Sequence, residues 1–374
     1  MRMEASEGAQ VIITSYDLLK RDRAAYLGRT FEYEIIDEAQ VIKNAKTQGA
    51  KAVKEISANA RFALTGTPVE NRLSELWSIF DFLMPGFLYS YRKFRERYEL
   101  PIVKNQDPEA LTALRRMTGP FVLRRLKKDV LRELPGKEER IVYSAASGRQ
   151  QKLYTASALK LKEALAGGAW SGNGKLEVLS QLMRLRQICC DPALCFEDYT
   201  GESAKLETCV SLIASASAAG HKILLFSQFA SMLERIRERL LQEGISSHLL
   251  VGATPKEERS RMVQAFASDE VPVFLISLKA GGTGLNLTAA DIVIHYDPWW
   301  NVAAQNQATD RAYRIGQEKP VTVYKLILKD TIEENLLKLQ NAKLALAAQV
   351  VSEGMVSLGD LSQNELMELF EQNP

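Results

Sequence analysis

Short, β-rich runs of almost uninterrupted apolar residues constrain this chain most. Among them are VIITSYDLL (11–19), YEIIDE (33–38), RFALTGTP (61–68), KILLFSQF (222–229), VPVFLISL (271–278), DIVIHYD (291–297) and VTVYKLIL (321–328). They gather at the two ends of the chain, and each is followed by a segment with helical spacing. A strand that is apolar at nearly every position has both faces buried, and strands alternating with helices place those helices on both faces of a parallel sheet. The expected class is α/β.

The middle of the chain differs. Between Pro85 and Arg140 there are 14 Lys and Arg against 8 Asp and Glu, an excess of six positive charges in a chain whose net charge is only +2. The positive charge is therefore local, which whole-chain balance hides. Few strand runs occur from 85 to 200, and GGAWSGNGK (167–175) reads as a loop between helices. IEENLLKLQNAKLALAAQVV (332–351) is a long helical pattern, and Ser362 with Glu365 forms a capping box for a last short helix. The chain is thus read as an incomplete α/β lobe (1–84), a helical insertion (85–200), a second α/β lobe (201–345) and a helical tail (346–374).

Cys189, Cys190, Cys195 and Cys209 cluster without spaced CxxC pairs, and the chain has only three histidines, so buried free thiols in a reducing compartment fit better than a zinc site. MRMEASEGAQ has no apolar stretch after its charges, and no run reaches bilayer length. The expectation is a chain that does not enter a membrane.

Four motifs carry chemistry. In IIDEAQ a strand delivers Asp37 and Glu38 to its C-terminal end, where α/β sheets place ligands; one carboxylate there can hold Mg²⁺ and its neighbour can orient an attacking water. LTGTPVEN follows another strand, with Thr65, Gly66 and Thr67 in a tight, hydroxyl-bearing turn. SLKAGGTGLNL places Gly281, Gly282 and Gly284 after a strand, freeing backbone N–H groups for a phosphate. In YDPWWNVAAQNQATDRAYRIGQ, Arg311 and Arg314 stand three apart on one predicted helix face ended by Gly316, placed to clamp a polyphosphate. Trp299 and Trp300 are more often packing residues than stacking platforms, and packing is expected of one of them. An acidic turn, a strand exit or a solvated helix face explains any one of these motifs alone; their combination does not reduce to such features.

DEAQ, LTGTP, ILLFSQF, SLKAGGTGLNL and DPWWN followed by QATDRAYRIGQ occur in the order and wording of the SWI/SNF-type helicase-like ATPases of superfamily two, which the chain resembles. PFVLRRLKKDVLRELPGK (120–137) and RLRQICCDP (184–192) extend the resemblance over nearly the whole sequence. The resemblance implies two RecA-like lobes that close on ATP and Mg²⁺ while double-stranded DNA crosses both, and a motor that displaces or remodels DNA-bound proteins. RNA polymerase and nucleoid proteins are candidates for those. Asp37 would hold the metal, Glu38 would be the catalytic base, and Arg311 and Arg314 would reach the phosphates. Gly282 and Gly284 would border the nucleotide. Gln40, Thr65, Gly66 and Thr67 would couple hydrolysis to movement. Ser277, Lys279, Gly281 and Trp299 would face DNA, with Arg124, Arg125, Lys127 and Lys128 on its phosphates. Gln40, Val302 and Tyr313 depart from the usual His, Pro and His, changes expected to tune coupling without abolishing it; Asp191 stands for the usual His before Pro192 in a packing segment, where losing a ring is expected to matter little.

A phosphate cradle, GxxxxGK[ST], should precede DEAQ. The Gly-Lys pairs are Gly136-Lys137 and Gly174-Lys175, both downstream and neither with the required glycine and hydroxyl. Without a cradle the phosphates lose their anchoring, so the chain alone is expected to hydrolyse ATP very poorly or not at all and its first lobe to be incomplete, as in a truncated gene, a fragment, or a split protein whose separate N-terminal half carries the loop. Three readings stay open: the carboxy-terminal portion of a DNA-dependent ATPase motor, a non-hydrolytic DNA-binding or scaffolding module derived from one, and an RNA-directed helicase of the same superfamily. The expected location is the cytoplasm at the nucleoid, with the nucleus as alternative.

Overall fold

The computed structural model describes residues 9–66, 73–105, 107–123, 125, 127, 131, 133–146, 148–167, 174–281, 285–338 and 340. The chain divides into two compact units, with the break between residues 124 and 125.

In the first unit β1 (Thr30–Ile36) and β2 (Ser57–Ala63) pair in parallel, Tyr33 opposite Ala60 and Ile36 opposite Ala63. The crossover between them carries helix α2 (Gln48–Lys54), capped by the Thr47 hydroxyl, which accepts the Ala50 amide. Helix α1 (Tyr16–Arg21), α2 and helix α3 (Leu73–Leu83) cover one face of this pair, burying Leu19, Ile36, Ile42, Val53, Ile79 and Phe82. Residues 11–15, expected as strand, form no ladder; Ser15 instead caps α1 by accepting the Leu18 amide at 3.2 Å. A capping hydroxyl followed by Asp17 in the first turn favours helix over strand once no neighbouring strand offers hydrogen bonds.

Beyond α3 the first unit continues as a helical module. Helix α4 (Tyr91–Phe94) runs through a π turn, Arg95–Glu99, into α5 (Leu100–Asn105), and α6 (Pro108–Thr118) starts on the Asp107 cap with proline in its first turn. Its own core is Leu73, Leu76, Phe80, Leu88, Phe94, Tyr98 and Leu114.

The second unit holds six parallel strands in the order β3-β8-β7-β4-β6-β5. They are β3 (Lys137–Ser144), β4 (Ile223–Ser227), β5 (Ser247–Leu250), β6 (Val273–Ser277), β7 (Ile292–His295) and β8 (Val321–Leu328). Odd-numbered residues of the central strands (Ile223, Leu225, Val273, Leu275) pack with Cys209, Ile213, Leu233 and Ile236. Even-numbered ones (Leu224, Phe226, Phe274, Ile276) pack with Phe266, Leu287 and Ala308 on the other face. Burial on both faces is why these strands are apolar at every position, and each fully buried Leu or Ile contributes about 1.5–3 kcal/mol. β3 lies inside the stretch read from sequence as helical. It pairs with β8 along its whole length, Lys137 opposite Val321 to Ser144 opposite Leu328. Helices α7 (Gly148–Ala166) and α8 (Gly174–Cys190) follow it, then α9 (Ala204–Ala218), α10 (Ala230–Gln242) and α11 (Lys256–Ser268).

Candidate functional site

The acidic turn is built by the exit of β1. The ladder runs past the strand end, Leu64 donating to the Ile36 carbonyl at 2.8 Å and Ala39 to the Leu64 carbonyl at 2.9 Å, so the turn between is anchored on both sides. Asp37 is exposed and Glu38 half-buried. The Glu38 amide donates to Asp37 Oδ1 at 2.8 Å, and Glu38 sits in the left-handed region at φ 50, ψ 52. A non-glycine residue there costs about 1–3 kcal/mol, and such strain collects at functional turns. Gln40 Nε2 donates to Glu38 Oε2 at 2.5 Å, and its Oε1 accepts the Thr65 hydroxyl at 2.8 Å. The structure thus joins Glu38, Gln40 and Thr65 in one relay. Gly66 follows Thr65 and is exposed; Thr67 lies outside the described residues.

In the second unit, helix α12 (Leu278–Gly281) is a single turn at the end of β6. Ser277 is buried, and its hydroxyl accepts the Ala280 amide at 3.3 Å, capping this turn. The expected glycine loop therefore begins as helix through Gly281. Lys279 stands on the turn; its side chain, like Gly282 and Gly284, lies outside the described residues.

The arginine pair is arranged differently from its sequence expectation. Helix α13 (Val302–Thr309), capped by Asn301, ends before either arginine, so they do not share a helix face. Residues 310–316 are turns, closed by Gly316 at φ 98, a conformation that favours glycine. Gln317 locks them, its Nε2 donating to the carbonyls of Thr288, Ala290 and Ala312. Arg311 is 8% exposed, whereas Arg314 is exposed. Lys127 is fastened to the same turn: it pairs with Asp310 at 2.6 Å and donates to the Tyr313 carbonyl at 3.1 Å. Arg125 is exposed; Arg124 and Lys128 lie outside the described residues.

The DPWW loop that leads into α13 rests on a buried ionic network that sequence reasoning did not single out. Arg186 of α8, 1% exposed, donates to Gln228 Oε1 at 2.9 Å and to the Pro298 carbonyl at 2.5 Å, with Asp297 3.8 Å away and the Trp300 ring 5.3 Å from its guanidinium carbon. Burial pulls its pKa below the usual arginine value, and Asp297 opposes that pull. Asp297 also accepts the Gln228 amide nitrogen Nε2 at 2.6 Å. Trp299 is half-buried, its amide donating to Gln305 Oε1 at 3.2 Å, so its backbone is fixed from α13. Burial drives the His295 pKa down to about 3, keeping the ring neutral as it meets the Thr309 hydroxyl at 2.9 Å.

Two family models match the sequence: the SNF2-related domain over residues 2–194 and the helicase conserved C-terminal domain over residues 204–316. The chain belongs to the SNF2 family of helicase-like ATPases. It is 42% identical over 378 residues to the putative ATP-dependent helicase/translocase YwqA of Bacillus subtilis, covering 97% of this chain and 40% of that protein. It is 40% identical to an uncharacterized ATP-dependent helicase of Mycoplasma genitalium, covering 97% of this chain and 35% of that protein. The chain thus spans well under half the length of these relatives. Among solved structures it resembles the Sulfolobus solfataricus SWI2/SNF2 ATPase core in complex with dsDNA, with a TM-score of 0.55 and 36% identity, covering 96% of this chain and 76% of that one. The parallel α/β units match the RecA-like architecture of that SNF2 core.

Within this SNF2 chain neither Gly-Lys pair is a phosphate cradle. The Gly136 carbonyl accepts the Val321 amide at the start of the β3–β8 ladder, and Gly174 opens α8. Asp37 does suit Mg²⁺, a hard cation usually held by one or two carboxylates, waters and substrate phosphates rather than by an all-protein cage. In keeping with that, no group of three or more His, Cys, Asp or Glu converges among the described residues. Asp191, where SNF2 proteins commonly have His, is buried; it accepts the Ala193 amide at 2.9 Å and pairs with Arg235 at 2.9 Å, which explains how a carboxylate is tolerated there. Arg186 stands next to other polar residues of α8, Arg184 and Gln187, so nothing in RLRQICC marked it as the buried one.

Proposed function

We propose that this chain is the motor portion of an ATP-dependent translocase that tracks along double-stranded DNA and remodels or displaces proteins bound to it, at the bacterial nucleoid. The observation that supports this most directly is the relay Glu38–Gln40–Thr65, which ties a water-orienting carboxylate to the turn after β2. Membership in the SNF2 family and the dsDNA bound to the Sulfolobus relative support the duplex substrate.

In this reading Asp37 holds Mg²⁺ and Glu38 takes the proton of the attacking water. Arg311 and Arg314 answer the charge that builds on the transferred phosphoryl group. The metal, when bound, neutralises phosphate charge. Gln40 transmits the state of Glu38 to Thr65. Arg125 and Lys279 add sequence-independent phosphate contacts, while Lys127 orders the arginine turn through Asp310.

The sequence carries no GxxxxGK[ST] loop, so this chain alone hydrolyses ATP very slowly, and a polypeptide carrying that loop restores turnover. The test is duplex-stimulated phosphate release with and without such a polypeptide, added in trans or fused. Glu38→Gln and Arg314→Ala in the restored protein each lower the rate by about 10³ or more. Near-normal turnover in either variant defeats the role given to that residue. The second reading, a non-hydrolytic DNA-binding module, is favoured by the placement of both Gly-Lys pairs in ordinary secondary structure. Salt-dependent duplex binding with no hydrolysis under any complementation would establish it.

A further inference from the structure

We propose that Tyr16 is a positioning residue that holds the peptide between Asp37 and Glu38 in its working orientation. The inference rests on the reading of Asp37 and Glu38 as the nucleotide-facing acids, and it assigns a role to a residue outside the DEAQ motif. Tyr16 is the first residue of α1 and is half-buried against the core of the first unit. Its hydroxyl donates to the Asp37 carbonyl at 2.7 Å. The N–H of that same peptide, on Glu38, donates to Asp37 Oδ1 at 2.8 Å. Both polar ends of one peptide plane are therefore pinned.

The plane needs pinning because Glu38 is strained. It sits at φ 50, a conformation costly for a residue with a Cβ. Turning the 37–38 peptide over by half a turn rotates φ of Glu38 by about 180°, which takes it out of the left-handed region. That flip relieves the strain locally but swings the Asp37 carbonyl to where the N–H was, so the Asp37 carboxylate loses its amide donor and faces a carbonyl oxygen instead. Of the two pins, the Asp37 carboxylate belongs to the moving turn and is the group meant for the metal. Tyr16 is the pin supplied from another element.

Tyr16→Phe removes the hydroxyl and keeps the ring in its core position. A crystal structure of the full-length variant tests the proposal without reference to catalysis. The 37–38 peptide is expected to be turned over, or split between two orientations, with φ of Glu38 negative in the turned form. A single orientation with φ near its wild-type value overturns the proposal. Ser15→Ala, which removes the α1 cap but leaves the hydroxyl, retains the wild-type orientation; a flip in that variant as well shows that α1 stability alone sets the turn and also overturns it. In the ATPase restored by a loop-bearing polypeptide, Tyr16→Phe is expected to lower kcat by about tenfold or more with KM for ATP within about twofold, as small misplacements of acting groups do. An unchanged kcat overturns the functional half of the proposal. Failure of the wild-type chain to hydrolyse ATP even with the loop-bearing polypeptide defeats the translocase reading and leaves the crystallographic outcome to decide the role of Tyr16.

Discussion

Every residue of β4 in the second unit is buried, whereas in β1 of the first unit only Glu34 and Ile36 are. The two parallel sheets are made from similar residues, but among the described residues one is covered on both faces and the other on one. Tyr33 and Ile35 remain 66% and 62% exposed, and Phe62 and Leu64 49% and 54%. Acidic side chains feel the same contrast. Glu139 on β3 is exposed; desolvation by its neighbours would raise its pKa, yet hydrogen bonds from Lys325 and Lys137 bring it down to about 2. Glu34 on β1 is pushed by burial up to about 7, although Arg61 lies 3.2 Å away and opposes the rise. A complete sheet supplies partners for what it buries. Among the described residues, the two-stranded one leaves these apolar groups exposed and a carboxyl poorly served.

The hardest test of this contrast removes a partner from the well-served sheet. Lys205 and Glu333 form an ion pair with both side chains fully buried, and Glu333 also accepts the Leu328 amide at 2.9 Å. Lys205→Met strands the carboxylate and should cost about 3–5 kcal/mol in denaturant unfolding, with Lys205→Met/Glu333→Leu recovering most of it. A single variant as stable as wild type would show that the covered sheet does not depend on pairing its charges. Next in size is a matched pair of truncations. Leu225→Ala in β4 should cost about 2–5 kcal/mol, whereas Ile35→Thr on the open face of β1 should change stability by no more than about 0.5 kcal/mol and improve solubility. Equal losses would mean that the open face is covered in solution.

The smallest effect is one of pH. The folded pKa of Glu34 lies above its usual 4.5, so its contribution to stability is full below that value and is lost as pH rises through about 7. Glu34→Gln removes the titration. The variant should gain roughly 1–2 kcal/mol on wild type between pH 5 and pH 8, seen as a difference in the pH dependence of Tm. A constant offset across that range would place the titration elsewhere.

The covered sheet was legible in the sequence and the half-covered one less so, for the same reason. Double-sided burial writes an unbroken apolar run, which is how β4, β6, β7 and β8 announce themselves. β3 begins Lys-Glu-Glu-Arg and is a strand because β8 offers it a full ladder, with Lys325 on Glu139 at 2.7 Å. Tertiary pairing of that kind has no local signature. The acidic turn was readable because strand, carboxylates and hydroxyl turn are each local patterns; that Gln40 reaches Thr65 across 25 residues was not. The arginine pair was misjudged because a three-residue spacing implies one face only while the helix continues. It stops at Thr309, where His295 from the neighbouring strand holds the last hydroxyl, a contact 14 residues away in sequence. Arg186 and Tyr16 act through backbone carbonyls, at Pro298 and Asp37, and a carbonyl leaves no trace in residue identity.

Gln40 stands where its relatives commonly carry an imidazole, and an amide has no proton to gain or lose anywhere near neutrality. Its two ends are fixed as giver to Glu38 and taker from Thr65. The amide between the acid and the hydroxyl therefore keeps one polarity from mildly acidic to mildly alkaline solution.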